Sequence, residues 1–370
     1  MERADFLILG GGVAGLSAGA SLSAHGKVIV LEAEEALGHH SSGRSATFSH
    51  YGIGNAVVRG LTMHSRAWFL ETAGGVLARR HPTLFVATEE MRPALAALGE
   101  SMSRFTDSLE EAGETRMRAL FPPIRLGGDA IVAGIAYPDG LRLDSDAMLQ
   151  HYARTIRAAG GQVLNSRRAA KIAAQWTVTT EAGESFSAPI LINAAGAWAD
   201  QVATLAGVPP LGLRPLRRTI IVVDPPEGAD ARGWAFMKTA VDDFYILPEG
   251  ARLAASPTDE VEDVPRDAQP EDYDIALAAW KVEQYTTLPV ARIAHRWAGL
   301  RTFTADRTPV AGYDAEAPGF FWLAGQGGFG LQTAPAMAEA TAALVTGATW
   351  PKALAESGVL PDHLAPARLR

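Results

Sequence analysis

The segment Ala4–Glu32 constrains the fold of this chain more than any other stretch. It begins with an apolar run, Asp5–Leu9, passes through a glycine turn of the form G-x-G-x-x-G, and continues with the residue spacing of a packed helix over Val13–His25. A second apolar run, Lys27–Leu31, follows and ends at Glu32. This order predicts a β-α-β unit of the dinucleotide-binding type.

The glycines and the acidic residue of this unit each have a physical reason. Gly10 would permit the tight turn, Gly12 the approach of backbone to pyrophosphate, and Gly15 the packing of helix on strand. Glu32 could accept the hydroxyls of a ribose, which favours FAD or NAD over NADP. The nucleotide contacts expected from this unit are Gly10, Gly12, Val13, Ala14, Gly15, Glu32 and Ala33.

Composition excludes several classes of function. A chain of 370 residues with 48% hydrophobic residues can bury a sizeable core and suggests two domains. The net charge of −8, without a basic block, disfavours nucleic acid and anionic membranes as partners. The absence of cysteine excludes disulfides, thiolate metal sites and a cysteinyl-flavin bond. No apolar run reaches the ~18 residues of a membrane span.

The first strand begins within five residues of Met1, which leaves no room for a cleavable signal peptide. We therefore expect a cytoplasmic protein, with peripheral contact at the inner face of the membrane left open. His39 and His40 suggest a metal, but adjacent residues converge poorly on one ion and no carboxylate has ligand spacing, so we expect none.

Three further segments have the composition of ligand-binding loops. In the first, Arg44 could pair with a phosphate while Ser45 opens a second anion-binding turn. The small-residue turn Ala194–Trp198 leaves room for a ligand. Near the C-terminus, GQGGFGLQT leads into the helix Thr333–Thr346, whose positive end could stabilise negative charge on a flavin ring. NAD alone would not require this last loop, so FAD is favoured.

The remaining pattern predicts an α/β nucleotide domain interrupted by a second domain, α+β overall. Predicted helices are Val57–Phe69, Ala94–Ala112, Asp144–Ala159 with Asp144 as N-cap, and Gln269–Gln284. Predicted strands include Pro82–Thr88, Gly128–Tyr137, Gln162–Leu164, Trp176–Thr180, Pro189–Asn193, LRRTIIVV within Pro209–Asp224, Asp243–Leu247, Arg252–Ala255, Arg292–Thr304 and Gly319–Ala324. We expect residues 1–80, 144–207 and 296–370 to form the nucleotide domain and residues 81–143 and 208–295 the substrate domain.

Several motifs together resemble the flavin-dependent D-amino-acid oxidase superfamily, which includes glycine oxidase and sarcosine oxidase. They are GGGVAGLSAG, GRSA, INAAGAWAD, RWAGLR and AGQGGFGLQTAPAM, in this order. Within the family the chain is most similar to the D-arginine dehydrogenases. The resemblance implies a Rossmann-like FAD-binding domain of the glutathione-reductase/D-amino-acid oxidase type, with an inserted substrate domain on a mainly antiparallel sheet.

The resemblance also implies noncovalent FAD and a reaction. An amino acid would be oxidised to the imino acid by hydride transfer from Cα to flavin N5, and water would then release the 2-oxo acid and ammonia. Beyond the first unit, the positions that match flavin contacts are Gly43, Arg44, Ser45, Ala46, Ala170, Ala195, Gly196, Trp198, Arg301, Gly327, Gly328, Gly330, Leu331, Gln332 and Thr333. Gly328 and Gln332 would border both flavin and substrate.

In that family two arginines and a tyrosine hold the substrate carboxylate, and the matching positions here are Arg218, Arg301 and Tyr245. Arg217 and Arg218 should point to opposite faces of a strand, so only one can face the pocket. Tyr51 matches a tyrosine on the active-site loop. The substrate ammonium would lose its proton to water, His50 or Tyr51, which the sequence does not distinguish.

Two departures from the arginine-specific pattern bear on the substrate. Leu84 stands where a glutamate would bind the substrate guanidinium, unless the register slips to Glu89 or Glu90. Phe48 replaces a pocket histidine, whose role His50 could take. Since an apolar wall cannot satisfy a buried cation, we expect a neutral or apolar D-amino acid rather than D-arginine or D-lysine.

The partners expected are a small amino-acid substrate and an electron acceptor, which could be a quinone, an electron-transfer protein or O2. The matched segments contain no lysine like that of the oxygen-reactive members, which favours a dehydrogenase. The alternatives are an oxidase of glycine, sarcosine or another secondary amine, and, from another class, a partner protein with structural FAD. We expect a monomer or homodimer.

Overall fold

The computed structural model describes residues 1–72 and 75–370. The predicted β-α-β unit is present as Phe6–Leu9, Val13–Leu22 and Val28–Leu31. Gly10 has a φ of +115°, and a Cβ there would lie 2.3 Å from the carbonyl oxygen of Ala194. Only glycine therefore fits the turn between the first strand and the helix.

A six-stranded sheet forms the nucleotide-binding half of the molecule. Its strands, in spatial order, are Gln162–Leu164, Val28–Leu31, Phe6–Leu9, Ile190–Asn193, Phe320–Ala324 and Val310–Tyr313. The first five are parallel and the last is antiparallel. Four of the five parallel strands are buried along almost their whole length, as expected for a sheet covered on both faces. The strands come from both ends and the middle of the chain.

A nine-stranded sheet forms the other half. Its strands are Val261–Glu262, Arg214–Val223, Arg252–Ser256, Tyr245–Glu249, Phe236–Thr239, Thr83–Ala87, Ala133–Tyr137 and Glu110–Glu111, with His295–Phe303 also paired to Arg214–Val223. Its ladders are antiparallel apart from the pairing of Phe236–Thr239 with Thr83–Ala87. The mainly antiparallel sheet predicted for the inserted half is thus present.

Two small sheets complete the strands. They are formed by Glu2–Arg3, Ser185–Ser187, Thr177–Thr180 and Ala169–Ala173, and by Phe48–Ser49, Leu141–Leu143 and Ala78–Arg80. The α-helices are Val13–Leu22, Ala56–Glu71, Arg92–Ser103, Glu114–Leu120, Ser145–Ala158, Ala199–Leu205, Asp272–Tyr285, Gly330–Thr346, Lys352–Glu356 and Pro361–Leu364. Within the described residues, none of them is long and apolar enough to cross a membrane.

Local predictions were confirmed where capping and periodicity agreed. Asp144 caps its helix by accepting a hydrogen bond from the backbone N–H of Ala147 at 2.9 Å. The expected helix Ala94–Ala112 was too long, because the helix ends at Ser103. The Thr106 hydroxyl accepts from the Ser108 N–H, and such local bonds compete with helix formation.

The two large sheets support the proposed division into a nucleotide domain and a substrate domain. One boundary needs to move, because residue 296 lies inside the strand His295–Phe303, which belongs to the nine-stranded sheet. We therefore propose that the chain returns to the nucleotide domain after Phe303.

Candidate active site

A cavity of 490 Å³ runs from the first glycine turn to the inner face of the nine-stranded sheet. This volume lies within the usual range for ligand sites. The predicted residues that line it are Gly10, Gly12, Val13, Ala14, Glu32, Ala33, Arg44, Ser45, Ala46, Phe48, His50, Ala195, Gly196, Trp198, Arg218, Tyr245, Arg301, Gly327, Gly328, Gly330, Leu331 and Gln332. Most residues expected at one site are thus brought together by the fold.

Four expected cofactor contacts lie outside this wall: Gly15, Gly43, Ala170 and Thr333. A Cβ at Gly15 would lie 2.0 Å from the Gly10 carbonyl oxygen, so this glycine serves helix-on-strand packing. Gly43 closes its own loop, since a Cβ there would lie 2.6 Å from the Gly38 carbonyl oxygen. The Thr333 hydroxyl donates to the Phe329 carbonyl within its own helix. Ala170 does not line the cavity, although the preceding residues Arg168 and Ala169 do.

The nucleotide end of the cavity is fixed by hydrogen bonds to the glycine turn. The buried Glu32 carboxylate accepts from the Gly11 N–H at 2.6 Å and from the Glu34 N–H at 2.8 Å. The Ser42 hydroxyl accepts from the Val13 N–H at 3.0 Å. Sequence reasoning missed Ser42, because only the folded loop brings it to the helix N-terminus.

The expectation that Arg44 binds a phosphate is not supported by its contacts. Its guanidinium donates to the carbonyl oxygens of His39, Ala268 and Ala298 and pairs with Asp267. These bonds use four of the five N–H donors of the guanidinium. Arg44 therefore ties the nucleotide loop to the other half of the molecule.

His39 and His40 do have a neighbouring carboxylate, contrary to the expectation that none has ligand spacing. Glu34 lies beside them, and its Oε1 is 3.1 Å from His40 Nε2. The same oxygen accepts from Arg168 at 2.8 Å, and the His40 ring packs on Trp198 with centroids 4.4 Å apart. Because a guanidinium cation already shares this carboxylate, we propose no metal there.

At the opposite end of the cavity, the C-terminal glycine loop, GQGGFG, contacts Arg301. A Cβ at Gly328 would be 1.6 Å from Arg301 Nη2, so only glycine allows this contact. Among the described residues, the buried Gln326 Nε2 and Arg301 Nη1 have no hydrogen-bond partner. Unpaired buried donors together with a glycine-lined cradle fit a ligand rich in acceptors, such as a flavin and a carboxylate.

Two guanidinium groups and a phenol converge beside this loop. Arg218 donates to the Asp259 carbonyl at 2.9 Å, and Arg301 Nη1 lies 3.7 Å from Glu260. Burial, followed by the charge of Arg218, lowers the pKa of Arg301 to about 10, so it stays charged at neutral pH. Burial raises the pKa of Tyr245, which therefore remains a hydroxyl donor.

The adjacent arginines face opposite ways, as predicted from strand geometry. Arg218 lies in the cavity wall. Arg217 contacts Asp274 at 3.0 Å and Glu271 at 2.6 Å on the outer side of the sheet.

Leu84 and Tyr51 do not line the cavity. Leu84 pairs with Met237, and both side chains belong to an apolar core on the far face of the sheet. The next residue, Phe85, lies on the opposite face of the sheet, fully buried behind the wall residue His50, with ring centroids 5.5 Å apart. Tyr51 is buried against Phe105 and Tyr137 behind the wall.

His50 is held neutral by its surroundings. Burial, followed by the charge of Lys238, lowers the pKa of His50 to about 3. Its Nδ1 accepts from the Gly52 N–H at 3.0 Å, and its backbone N–H donates to Gln332. Gln332 also donates to the Thr62 hydroxyl at 2.8 Å, so it positions the His50 loop.

Sequence reasoning missed Lys238 and Asp242, which lie in the cavity wall. Lys238 is buried and donates to Asp242 Oδ1 at 2.8 Å. The alternation of Phe236 and Lys238 in their strand was the available signal, since both side chains point to one face. Because a lysine does line the cavity, the absence of lysine from the matched segments no longer favours a dehydrogenase over an oxidase.

The family model described as FAD dependent oxidoreductase (DAO) matches residues 5–344. The chain therefore belongs to this family, which confirms the resemblance found in its motifs. It is an FAD-dependent oxidoreductase, which confirms the prediction that the cofactor is FAD.

Curated relatives match only in part. FAD-dependent oxidoreductase domain-containing protein 1 of Bos taurus is 31% identical over 42% of this chain and 35% of its own length. L-2-hydroxyglutarate dehydrogenase of Indibacter alkaliphilus is 27% identical over 54% of this chain and 52% of its own. The chain thus spans between a third and about half of the length of these relatives.

Solved structures show the same fold over nearly the whole chain. L-proline dehydrogenase of P. horikoshii superposes with a TM-score of 0.84 at 18% identity, covering 99% of this chain and 98% of its own. Glycine oxidase of Geobacillus kaustophilus gives 0.81 at 20%, and L-alpha-glycerophosphate oxidase of Mycoplasma pneumoniae, with FAD bound, gives 0.83 at 20%. The last two cover 95% of this chain and 96% of their own. At these identities the likeness establishes the fold alone.

Proposed function

We propose that this oxidoreductase oxidises a D-amino acid whose carboxylate is held by Arg218, Arg301 and Tyr245. The observation that carries the proposal is the Arg301 Nη1 donor, which is buried at the cavity without a hydrogen-bond partner in the described chain. A buried unpaired donor costs free energy, which a bound carboxylate would recover. Two guanidinium groups and a phenol match a carboxylate in shape and charge.

The D configuration and the imino-acid product follow from the family resemblance. The bound FAD would supply the two-electron oxidation, while the chain binds and orients the amino acid. The substrate ammonium must lose a proton first. With its pKa near 3, His50 is a poor acceptor at neutral pH. Tyr51 lies behind the wall, so water is the acceptor that we propose.

The preference against cationic side chains has a different basis from the one expected. Leu84 does not contribute to the wall, whereas Phe48 and Phe236 stack with ring centroids 4.7 Å apart. Lys238 lies on the same strand face as Phe236, and since its ammonium already occupies the Asp242 carboxylate, it offers donors and no acceptor to the side chain of D-arginine or D-lysine. These substrates should therefore be poor.

Two alternatives remain as rival proposals. The first is the oxidation of glycine, sarcosine or another secondary amine, whose carboxylate Arg218, Arg301 and Tyr245 would hold in the same way. A partner protein with structural FAD would have no use for a buried carboxylate clamp. The electron acceptor is proposed to be a quinone, an electron-transfer protein or O2.

The test is anaerobic reduction of the bound flavin by a panel of D- and L-amino acids, glycine and sarcosine. Arg301→Met should retain FAD and lose roughly 100-fold in reduction rate at low substrate, because a buried charge partner is removed. Arg296→Met is the matched control, since this exposed arginine lies on the same strand. Unchanged reduction in Arg301→Met would refute the clamp.

A further inference from the structure

Lys238 is a buried cation that the carboxylate clamp leaves unused. It lies on the cavity face of the strand Phe236–Thr239 and is 5% exposed. Its one hydrogen bond within the described residues goes to Asp242 Oδ1 at 2.8 Å. Since an ammonium group carries three donors, two are left for a ligand.

His50 offers a second donor at the same end of the cavity. Its Nδ1 accepts from the Gly52 N–H, so the neutral ring carries its proton on Nε2. The ring packs on Phe236, with centroids 5.3 Å apart, and Phe236 is on the same strand face as Lys238. The unused polar groups of Lys238 and His50 are therefore donors, which suit an acceptor with negative charge.

Asp242 shows that a carboxylate fits between this lysine and the clamp. Its Oδ1 contacts Lys238 and its Oδ2 lies 3.6 Å from Arg218 Nη2. The Asp242 side chain is 43% exposed and belongs to the turn between the strands Phe236–Thr239 and Tyr245–Glu249. It can therefore turn towards water when a ligand carboxylate replaces it.

The neighbouring charges favour such a replacement. Burial lowers the pKa of Lys238, and the Asp242 carboxylate opposes that effect. A buried ammonium needs an anionic partner, since an unpaired buried charge is strongly destabilised. A ligand carboxylate at the same place would supply that partner and leave Asp242 hydrated.

We propose that Lys238 and the Nε2–H of His50 bind a second carboxylate, so that the substrate is an amino dicarboxylic acid. This inference rests on the proposed function, in which Arg218 and Arg301 hold the first carboxylate. The substrate side chain would then be short and acidic, instead of the neutral or apolar side chain that the position of Leu84 led us to expect.

The test compares ligands of equal chain length on the FAD-loaded protein. Glutarate and pentanoate differ by one carboxylate, and their dissociation constants can be measured from the shift that they cause in the flavin absorption spectrum. We expect glutarate to bind at least about tenfold more tightly than pentanoate, because one additional charge-assisted hydrogen bond contributes an affinity gain of about this size. D-Glutamate should likewise reduce the flavin faster than D-norvaline.

Lys238→Met should bring the two dissociation constants within about twofold of each other by weakening glutarate alone. Lys352→Met is the matched control, because this exposed lysine lies on the helix Lys352–Glu356. Asp242→Asn, which removes the competing carboxylate, should increase the preference for glutarate. The wild-type comparison decides the question if Lys238→Met does not fold.

The outcomes separate this inference from the proposed function. Equal binding of glutarate and pentanoate, with both weakened by Arg301→Met, would refute the second carboxylate site and leave the clamp standing. A glutarate preference that survives in Lys238→Met would also refute it. If neither ligand depends on Arg301, the proposed function itself fails, and this inference with it.

Discussion

Arg217 and Arg218 are neighbours on one strand, yet their side chains lie in opposite environments. Arg217 is 2% exposed and pairs with Asp274, which is 3% exposed, on the outer face of the sheet. Arg218 faces the cavity and has only longer contacts to carboxylates, 3.5 Å to Glu260 and 3.6 Å to Asp242. Arg217 therefore stabilises the fold, whereas Arg218 is available to bind a ligand.

We predict that Arg217→Leu lowers the free energy of unfolding by about 3–5 kcal/mol, since it leaves buried Asp274 without its partner. Arg218→Leu should cost less stability and weaken carboxylate binding. Urea unfolding together with pentanoate titration measures both properties. A stable Arg217→Leu protein that fails to bind pentanoate would reverse these assignments.

Leu84→Ala tests the placement of this side chain in the core. Removing a fully buried leucine should lower the free energy of unfolding by roughly 2–5 kcal/mol. Because Leu84 lies on the far face of the sheet, the substrate panel should keep its order in flavin reduction. Phe85→Leu, one residue along, removes the ring that packs on the wall residue His50 and should alter that order; a change in Leu84→Ala alone would contradict the structure.

Gly328→Ala should weaken carboxylate binding by displacing Arg301, since the added Cβ would lie 1.6 Å from its Nη2. We expect roughly a tenfold or greater rise in the pentanoate dissociation constant. Gly330→Ala is a control two residues along, at the first position of the helix Gly330–Thr346, where the nearest atom would be Gln326 Cβ at 3.2 Å. Equal effects of the two substitutions would argue against a specific contact with Arg301.

The pH dependence of binding follows from Arg301 and His50. A carboxylate favours the charged guanidinium, so affinity should stay level below pH 10 and fall above it, as Arg301 loses its proton in the free protein. His50, whose pKa is about 3, should add no step between pH 5 and 8. Pentanoate titration from pH 6 to 11 checks both, and a step near pH 6.5 that vanishes in His50→Asn would show that His50 titrates there.

Sequence periodicity and glycine chemistry predicted the nucleotide unit, because each signal lies within a few adjacent residues. The opposite faces of Arg217 and Arg218 were also predictable, since alternation is a local property of strands. The placement of Leu84 was not, because a register difference of one residue exchanges it with Phe85. Lys238 and Arg44 were misjudged for a related reason: their partners are set by loops distant in sequence.

The order of strands in the six-stranded sheet has a consequence for biosynthesis. Ile190–Asn193 is flanked by Phe6–Leu9 on one side and Phe320–Ala324 on the other, and the loop that contains Gly328 follows the latter. During synthesis from the N-terminus, the first glycine turn exists long before its opposite wall has been made. A ribosome-bound chain that ends before residue 320 would therefore lack the complete cofactor cradle. Retention of FAD would report that the strand Phe320–Ala324 has paired with Ile190–Asn193.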